Sequence, residues 1–195
     1  MAGGIVRLIK IRDAYSSAGL FHAARERSIM ETGVWKRVKI RTGGQSGVDR
    51  AAMDFARECG LELCGWCPKG GWAEDYPDPP GLLRDYPELQ ETPSEGTEQR
   101  TRWNMRDADA ILTIIPESSS ESEGTNVGLE EGIILGKPMY TATGFGDVPG
   151  IIRWLSSLPD GAQLCVGGPR ASECREAYDI AKAILYQVLH HTKLT

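Results

Sequence analysis

The stretch Val38-Lys39-Ile40-Arg41-Thr42-Gly43-Gly44-Gln45-Ser46-Gly47-Val48-Asp49-Arg50-Ala51-Ala52 decides the fold. Val38 and Ile40 alternate with basic residues in the period of two that a strand requires, and three glycines then interrupt the run. From Val48 the period changes. Val48, Ala51, Ala52, Phe55, Ala56 and Cys59 fall on one face of a helix that Gly60 ends. Strand, glycine loop and helix together are the opening unit of an α/β protein. The glycines let the backbone turn tightly and approach an anion closely, while the helix turns its free N–H groups and positive dipole end to the same point. A phosphate is the expected guest. The loop lacks both the Gly-Lys-Ser/Thr ending of a Walker A loop and the glycine spacing of the dinucleotide fingerprint.

Outward from this unit the same alternation continues. Leu61 to Trp66 reads as a short strand. Residues 67–96 hold Pro68, Pro77, Pro79, Pro80, Pro87 and Pro93, so little regular structure is expected there, and a loop of that length inside a domain is usually functional. Thr97 to Asp107 reads as a helix, and Ala110 to Ile115 as the apolar strand of a buried parallel sheet. Pro116 to Gly124 is a loop, Asn126 to Leu135 a helix, Met139 to Ala142 a strand, Val148 to Leu158 a helix, Gln163 to Val166 a strand, and Ser172 to His190 a closing helix. The alternation implies a parallel sheet wound right-handedly with helices on both faces, in one domain over residues 34–195. Its ligand belongs outside the carboxyl ends of the strands. Residues 1–33 form an N-terminal extension in which Arg7, Lys10, Arg12, Arg25 and Arg27 outnumber Asp13, Glu26 and Glu31. An extra helix, a targeting segment and a misplaced start all fit it.

Composition narrows the partners. The chain of 195 residues is large enough to bury roughly two thirds of its unfolded surface without staples. Its 22 basic and 27 acidic side chains leave a net charge of −5, which argues against nucleic acid. Five unevenly spaced cysteines and no hydrophobic secretory segment point to a reducing, cytoplasmic setting, and no apolar run is long enough for a membrane span. Cys64-Gly65-Trp66-Cys67 ends a strand and meets Pro68 instead of opening a helix, so it lacks the helix dipole that lowers a redox thiol's pKa. No cysteine or histidine spacing fits a zinc site.

Three further motifs carry chemistry. Lys69 follows the second strand and would reach the same rim as the glycine loop, with Trp66 or Trp72 offering a stacking face. Arg100 and Asn104 share a helix face one turn apart. Gly124-Thr125-Asn126 opens another helix, with Ser122 or Thr125 as its cap and amides exposed for an anion. Glu130 and Glu131 are adjacent in sequence and so do not face each other as an acid/base pair.

Taken with Gly65-Trp66-Cys67-Pro68-Lys69-Gly70, Ala73-Glu74-Asp75, Glu91-Thr92, Arg100-Thr101, Trp103-Asn104, Arg106-Asp107, Asp109-Ala110, Gly136-Lys137-Pro138 and Gly168-Pro169-Arg170, the glycine loop makes the chain resemble the molybdenum carrier family from about Val38 onward. The resemblance implies a Rossmann-like fold related to the cytokinin-activating phosphoribohydrolases and to predicted nucleotide sensors. It also implies a homo-oligomer, dimer or tetramer, with molybdoenzymes as acceptors. It assigns Gly43, Gly44, Gln45, Ser46, Gly47, Asp49 and Arg50 to the anion cradle, with Lys69, Arg100, Thr101, Asn104, Gly124 and Thr125 as rim contacts. The ligand it implies is molybdenum cofactor, a pterin with a phosphate and a dithiolene-bound metal that needs no protein ligand. The chain departs from the family where Gly128 replaces a second hydroxyl residue, and from the phosphoribohydrolase Gly-Thr-x-x-Glu signature where Gly128 takes the Glu position.

Three functions follow in order. The first is a non-catalytic carrier or storage protein for molybdenum cofactor. The second is a sensor binding an ADP-ribose-like nucleotide. The third is a nucleoside-monophosphate hydrolase in which Glu130 or Glu131 polarises water.

Overall fold

The elements run β1 (Val38–Arg41), α1 (Val48–Cys59), β2 (Leu63–Cys64), β3 (Trp66–Cys67), β4 (Gln90–Glu91), α2 (Thr97–Asp107), β5 (Ala110–Ile114), α3 (Glu123–Ile134), β6 (Met139–Ala142), α4 (Val148–Ser156), β7 (Ala162–Gly167) and α5 (Ala177–His191) in a computed structural model. The structure describes residues 34–191; the N-terminal extension expected at 1–33 lies outside the described residues, as do residues 192–195.

Five strands form one parallel sheet in the order β2-β1-β7-β5-β6. β1, β7 and β5 take the three inner positions and β2 and β6 the edges. All five residues of β5 are buried, and they divide by parity. Ala110, Leu112 and Ile114 join Ile40, Leu164 and Val166 in the large core under α1, α4 and α5. Ile111 and Cys165 face the other way, under Met105 and Ala108 at the end of α2. Trp35 and Phe55, both fully buried, meet edge to face at 5.0 Å and seal the start of the domain. The expected α/β architecture, a single Rossmann-like domain, is the one observed.

Boundaries differ where backbones meet. The strand expected from Leu61 to Trp66 divides at Gly65, whose φ of 147° lies outside the range of L side chains and where a Cβ would sit 2.0 Å from the Thr42 carbonyl oxygen. β2 therefore pairs with β1 while β3 leaves the sheet to pair with β4. The proline-rich segment is less irregular than expected. It contributes β4 and short 3-10 turns at Lys69–Gly71 and Gly81–Arg84, and it sinks Ala73, Leu82 and Leu89 into the core. The closing helix begins at Ala177 and not at Ser172, because residues 170–174 close a turn in which the Cys174 N–H donates to the Arg170 carbonyl at 3.0 Å.

Candidate functional site

A cleft of about 330 Å3 opens at the carboxyl ends of β1, β7 and β5. The first helix after β1 packs on one face of the sheet and the helix after β5 on the other, so the loops part above β7 and leave the crevice that such sheets use for ligands. Gly167 and Gly168 form its floor. Gln45 and Asp49 make one wall, the first turn of α3 the opposite wall, and Arg100, Thr101 and Met105 of α2 the cover.

The glycine loop is present where expected, but its amides are turned inward. The Gln45 N–H donates to Asp49 Oδ2 at 3.3 Å, Gly43 adds a second backbone bond to that carboxylate, and the Ser46 N–H donates to the Gln45 side chain at 3.1 Å. The Val48 N–H is taken by the Pro169 carbonyl at 3.3 Å. Asp49's own carboxylate thus sits in the concavity that sequence reasoning gave to a bound anion. Burial pushes this carboxyl above the usual range, and the Arg100 guanidinium, 3.1 Å away, opposes the shift.

The thirteen residues singled out from sequence separate into two groups. Gln45, Asp49, Arg100, Thr101, Gly124 and Thr125 line the cleft together. The others are buried elsewhere or lie apart from it. Gly43 lies under the Arg100–Asp49 pair, where a Cβ would meet Arg100 Nη1 at 1.7 Å. Gly44 packs against Leu82 and Leu89, and Gly47 against Pro169 and Arg170. Ser46 donates to Glu74 and accepts from the Ala171 N–H at 3.0 Å. Arg50 turns to Asp75 at 2.7 Å and stacks on Tyr76 and Tyr86, fastening the proline-rich segment to α1. Lys69 is exposed on its 3-10 turn outside the cleft. Trp66 stacks edge to face on Trp103, and neither they nor Trp72 lines the cleft.

Asn104 is a staple. Its amide accepts from the Trp66 N–H and donates to the Trp66 carbonyl, both at 2.9 Å, satisfying the backbone groups of β3 that its pairing with β4 leaves over. Since Asn104 is 2% exposed, Asn104→Ala would strand two backbone groups, with an expected loss of about 2 kcal/mol in urea unfolding.

Sequence reasoning passed over Thr113, Glu123, Gly167, Arg170 and Glu173, which also line the cleft. A signal was available for part of this, a glycine pair directly after the strand Gln163–Val166, the same grammar as the first loop. Arg170 reaches Glu173 through Nε at 3.1 Å and its side chain is 41% exposed. Glu74 ties three loops together by accepting from Ser46, from the Ser172 hydroxyl at 2.6 Å and from the Ser172 N–H at 3.1 Å. Burial works to raise its carboxyl, but the bonds from Ser172 and Ser46 prevail and hold it below the usual range. Ser122 is the cap of α3, accepting from the Thr125 N–H at 3.3 Å, and Gly124 beside it has open space where a Cβ would stand. Glu131 pairs with Arg102, and neither it nor Glu130 lines the cleft. Burial raises both thiols of the Cys64/Cys67 pair, Cys67 to about 11, the reverse of a reactive redox pair. Among the described residues no helix is long and apolar enough to cross a membrane.

The model of the circularly permutated YpsA SLOG family matches residues 40–189. The crystal structure of a protein from Syntrophus aciditrophicus SB, named "Putative molybdenum carrier protein", is similar at 31% identity with a TM-score of 0.67, over 77% of this chain and 93% of that one. No curated protein matches the chain.

Proposed function

We propose that this chain, which belongs to the circularly permutated YpsA SLOG family, is a ligand-binding protein whose cleft holds a phosphorylated small molecule, with molybdenum cofactor as its cargo. The observation that carries the reading is the convergence of Arg100, Arg170 and the amide end of α3 on one cleft at the carboxyl ends of the strands. Because the Gln45 N–H of the first glycine loop is spent on Asp49, the Ser46 N–H on the Gln45 side chain and the Val48 N–H on the Pro169 carbonyl, the α3 end is the better seat for the phosphate. A volume of about 330 Å3 is at the low end for small-molecule sites and suits one ring system with one phosphate better than a dinucleotide-like ligand. That favours the carrier over an ADP-ribose sensor. Among the described residues the cleft is lined by no His or Cys, and a ligand whose metal is held by its own dithiolene asks for neither. The hydrolase reading is disfavoured by the positions of Glu130 and Glu131. Homo-oligomerisation and delivery to molybdoenzymes belong to the same proposal; exposed Ile133, Ile134 and Leu135 at the end of α3 offer apolar surface for self-association.

The test is anaerobic purification from a host that makes the cofactor, followed by oxidative pterin fluorescence and mass spectrometry of the released small molecules. Stoichiometric pterin is expected. A co-purified nucleotide without pterin would establish the sensor instead. Arg170→Ala should weaken binding by about 1.5–3 kcal/mol through loss of a charge-assisted bond. It should change stability by no more than about 1 kcal/mol, because the Arg170 side chain is 41% exposed and solvent screens its ion pairs. Retained pterin in a folded Arg170→Ala protein would remove this side chain from the site.

A further inference from the structure

The glycine-loop wall of the cleft carries a side chain of fixed polarity. Gln45 is 7% exposed and lines the cleft. Its Oε1 accepts from the Ser46 N–H at 3.1 Å and from the Glu74 N–H at 2.8 Å. Two backbone donors on one atom identify it as the oxygen, since a flipped carboxamide would set N–H against N–H. Nε2 is left with no partner among the described residues, yet it is not sealed from solvent, and the open space that Gln45 borders is the cleft. A carboxamide more than nine-tenths buried thus turns its N–H donors toward the cleft.

Arg170 stands on the same wall. A Cβ on Gly47 would lie 2.9 Å from Arg170 Cα, and Arg170 Nε is 3.7 Å from Glu74, the residue whose N–H holds Gln45. The carboxylates beside these donors are engaged. Glu173 accepts from the Arg170 N–H and Nε, both at 3.1 Å, Glu74 from Ser46 and Ser172, and Asp49 from the Gln45 N–H and Arg100. The outer nitrogens of Arg170 have no partner among the described residues. This wall therefore offers a ligand N–H donors and one positive charge, across the cleft from the first turn of α3. Only an oxygen acceptor meets it, and an anionic oxygen meets it best.

We propose that Gln45 and Arg170 form an oxyanion seat, separate from the phosphate seat at the start of α3, which takes terminal oxygens at the far end of the ligand. The proposal rests on the ligand-binding reading above and names the residues for the end opposite the phosphate. In a cargo whose metal is held by its own dithiolene, that end carries oxygens on the metal, which accept hydrogen bonds and offer none. The donor set fits such a group and leaves the metal to its own ligands. Gln45→Glu is the decisive substitution because it is nearly isosteric. Oε1 keeps both backbone bonds, and only the cleft-facing amide nitrogen becomes a carboxylate oxygen.

The experiment is calorimetric titration of the full chain with molybdate, a free tetrahedral oxyanion, at neutral pH, with inorganic phosphate titrated in parallel. Gln45→Glu and Arg170→Ala should each weaken molybdate binding at least about tenfold, the size of one charge-assisted hydrogen bond. If Gln45→Glu fails to fold, Arg170→Ala decides alone. A larger loss for molybdate identifies oxygens on the metal as the occupant, and a larger loss for phosphate a second phosphoryl group; either supports the seat. Affinities for both anions unchanged by the substitutions, or no binding of either anion to the unaltered protein at millimolar concentration, would overturn it. The pterin content of the same preparations keeps this result apart from the cargo reading. Pterin in a protein whose anion binding ignores both substitutions leaves the cargo standing without the seat. Tenfold losses in a protein that carries no pterin keep the seat and remove the cargo.

Discussion

Replacing Arg100 by alanine is expected to lower the unfolding free energy by about 3–5 kcal/mol near neutral pH, because it leaves the Asp49 carboxylate buried without its counter-charge. The loss is not that of a surface ion pair. The side chains of Arg100 and Asp49 are 13% and 7% exposed, so solvent cannot take over the role of the guanidinium. The pH dependence distinguishes this cause from lost packing. Burial already holds the folded carboxyl above the usual carboxylate range, and Arg100 is the largest influence opposing that shift, so its removal moves the folded value further up. A carboxyl raised in the folded state costs stability as pH climbs past the unfolded value, and the cost is absent below it. The deficit of Arg100→Ala should therefore shrink as pH falls through the raised folded value and be gone by the unfolded carboxylate range, and Asp49→Asn in the same protein should restore a large part of the stability at neutral pH. A deficit independent of pH, unrelieved by the second substitution, would show that Arg100 acts by packing. The same variant should lose ligand, since Arg100 forms the cover of the cleft.

Gly168→Ala is expected to cost about 3 kcal/mol or more and to abolish ligand binding without removing any polar side chain from the cleft. A Cβ at this position would lie 2.2 Å from the Ile114 carbonyl oxygen and 2.8 Å from Val48 Cγ2. The first contact is with the backbone of a buried strand, which cannot retreat without disturbing the ladder between β5 and its neighbours. The exit of β7, the end of β5 and the first turn of α1 meet here, so the clash spreads into both walls of the cleft. Gly124→Ala is the matched control. A Cβ there meets nothing within 4 Å, and thermal unfolding should place its stability within about 0.5 kcal/mol of the unaltered protein. Equal stability of the two variants would mean that the floor of the cleft yields more readily than its contacts imply.

The cleft is built from features of two kinds, local and long-range. The glycine loop, the capped start of α3 and Arg100 were legible because each is a local pattern, a change of hydrophobic period or a capping residue. Their orientation was not. Arg50 and Asp49 are neighbours on α1, yet Asp49 turns to the cleft and Arg50 to Asp75 beneath the proline-rich segment. Asn104 shares a helix face with Arg100 but spends its amide on Trp66, 38 residues away in the chain. Arg170 and Glu173 entered the cleft because β7 lies between β1 and β5, an adjacency that chain order conceals.

The sequence by itself determined the architecture. Alternating apolar residues in the strands, the apolar stripe of α1 and the Gly60 stop are requirements of backbone geometry and burial that any parallel α/β sheet imposes, and they act within a few residues of one another. Only the tertiary structure decided which polar groups face the cleft. Donors and acceptors tens of residues apart compete for one another as the loops converge, and the Asp49 carboxylate, held by the amides of its own loop and by Arg100, had settled in the place where an anion was expected.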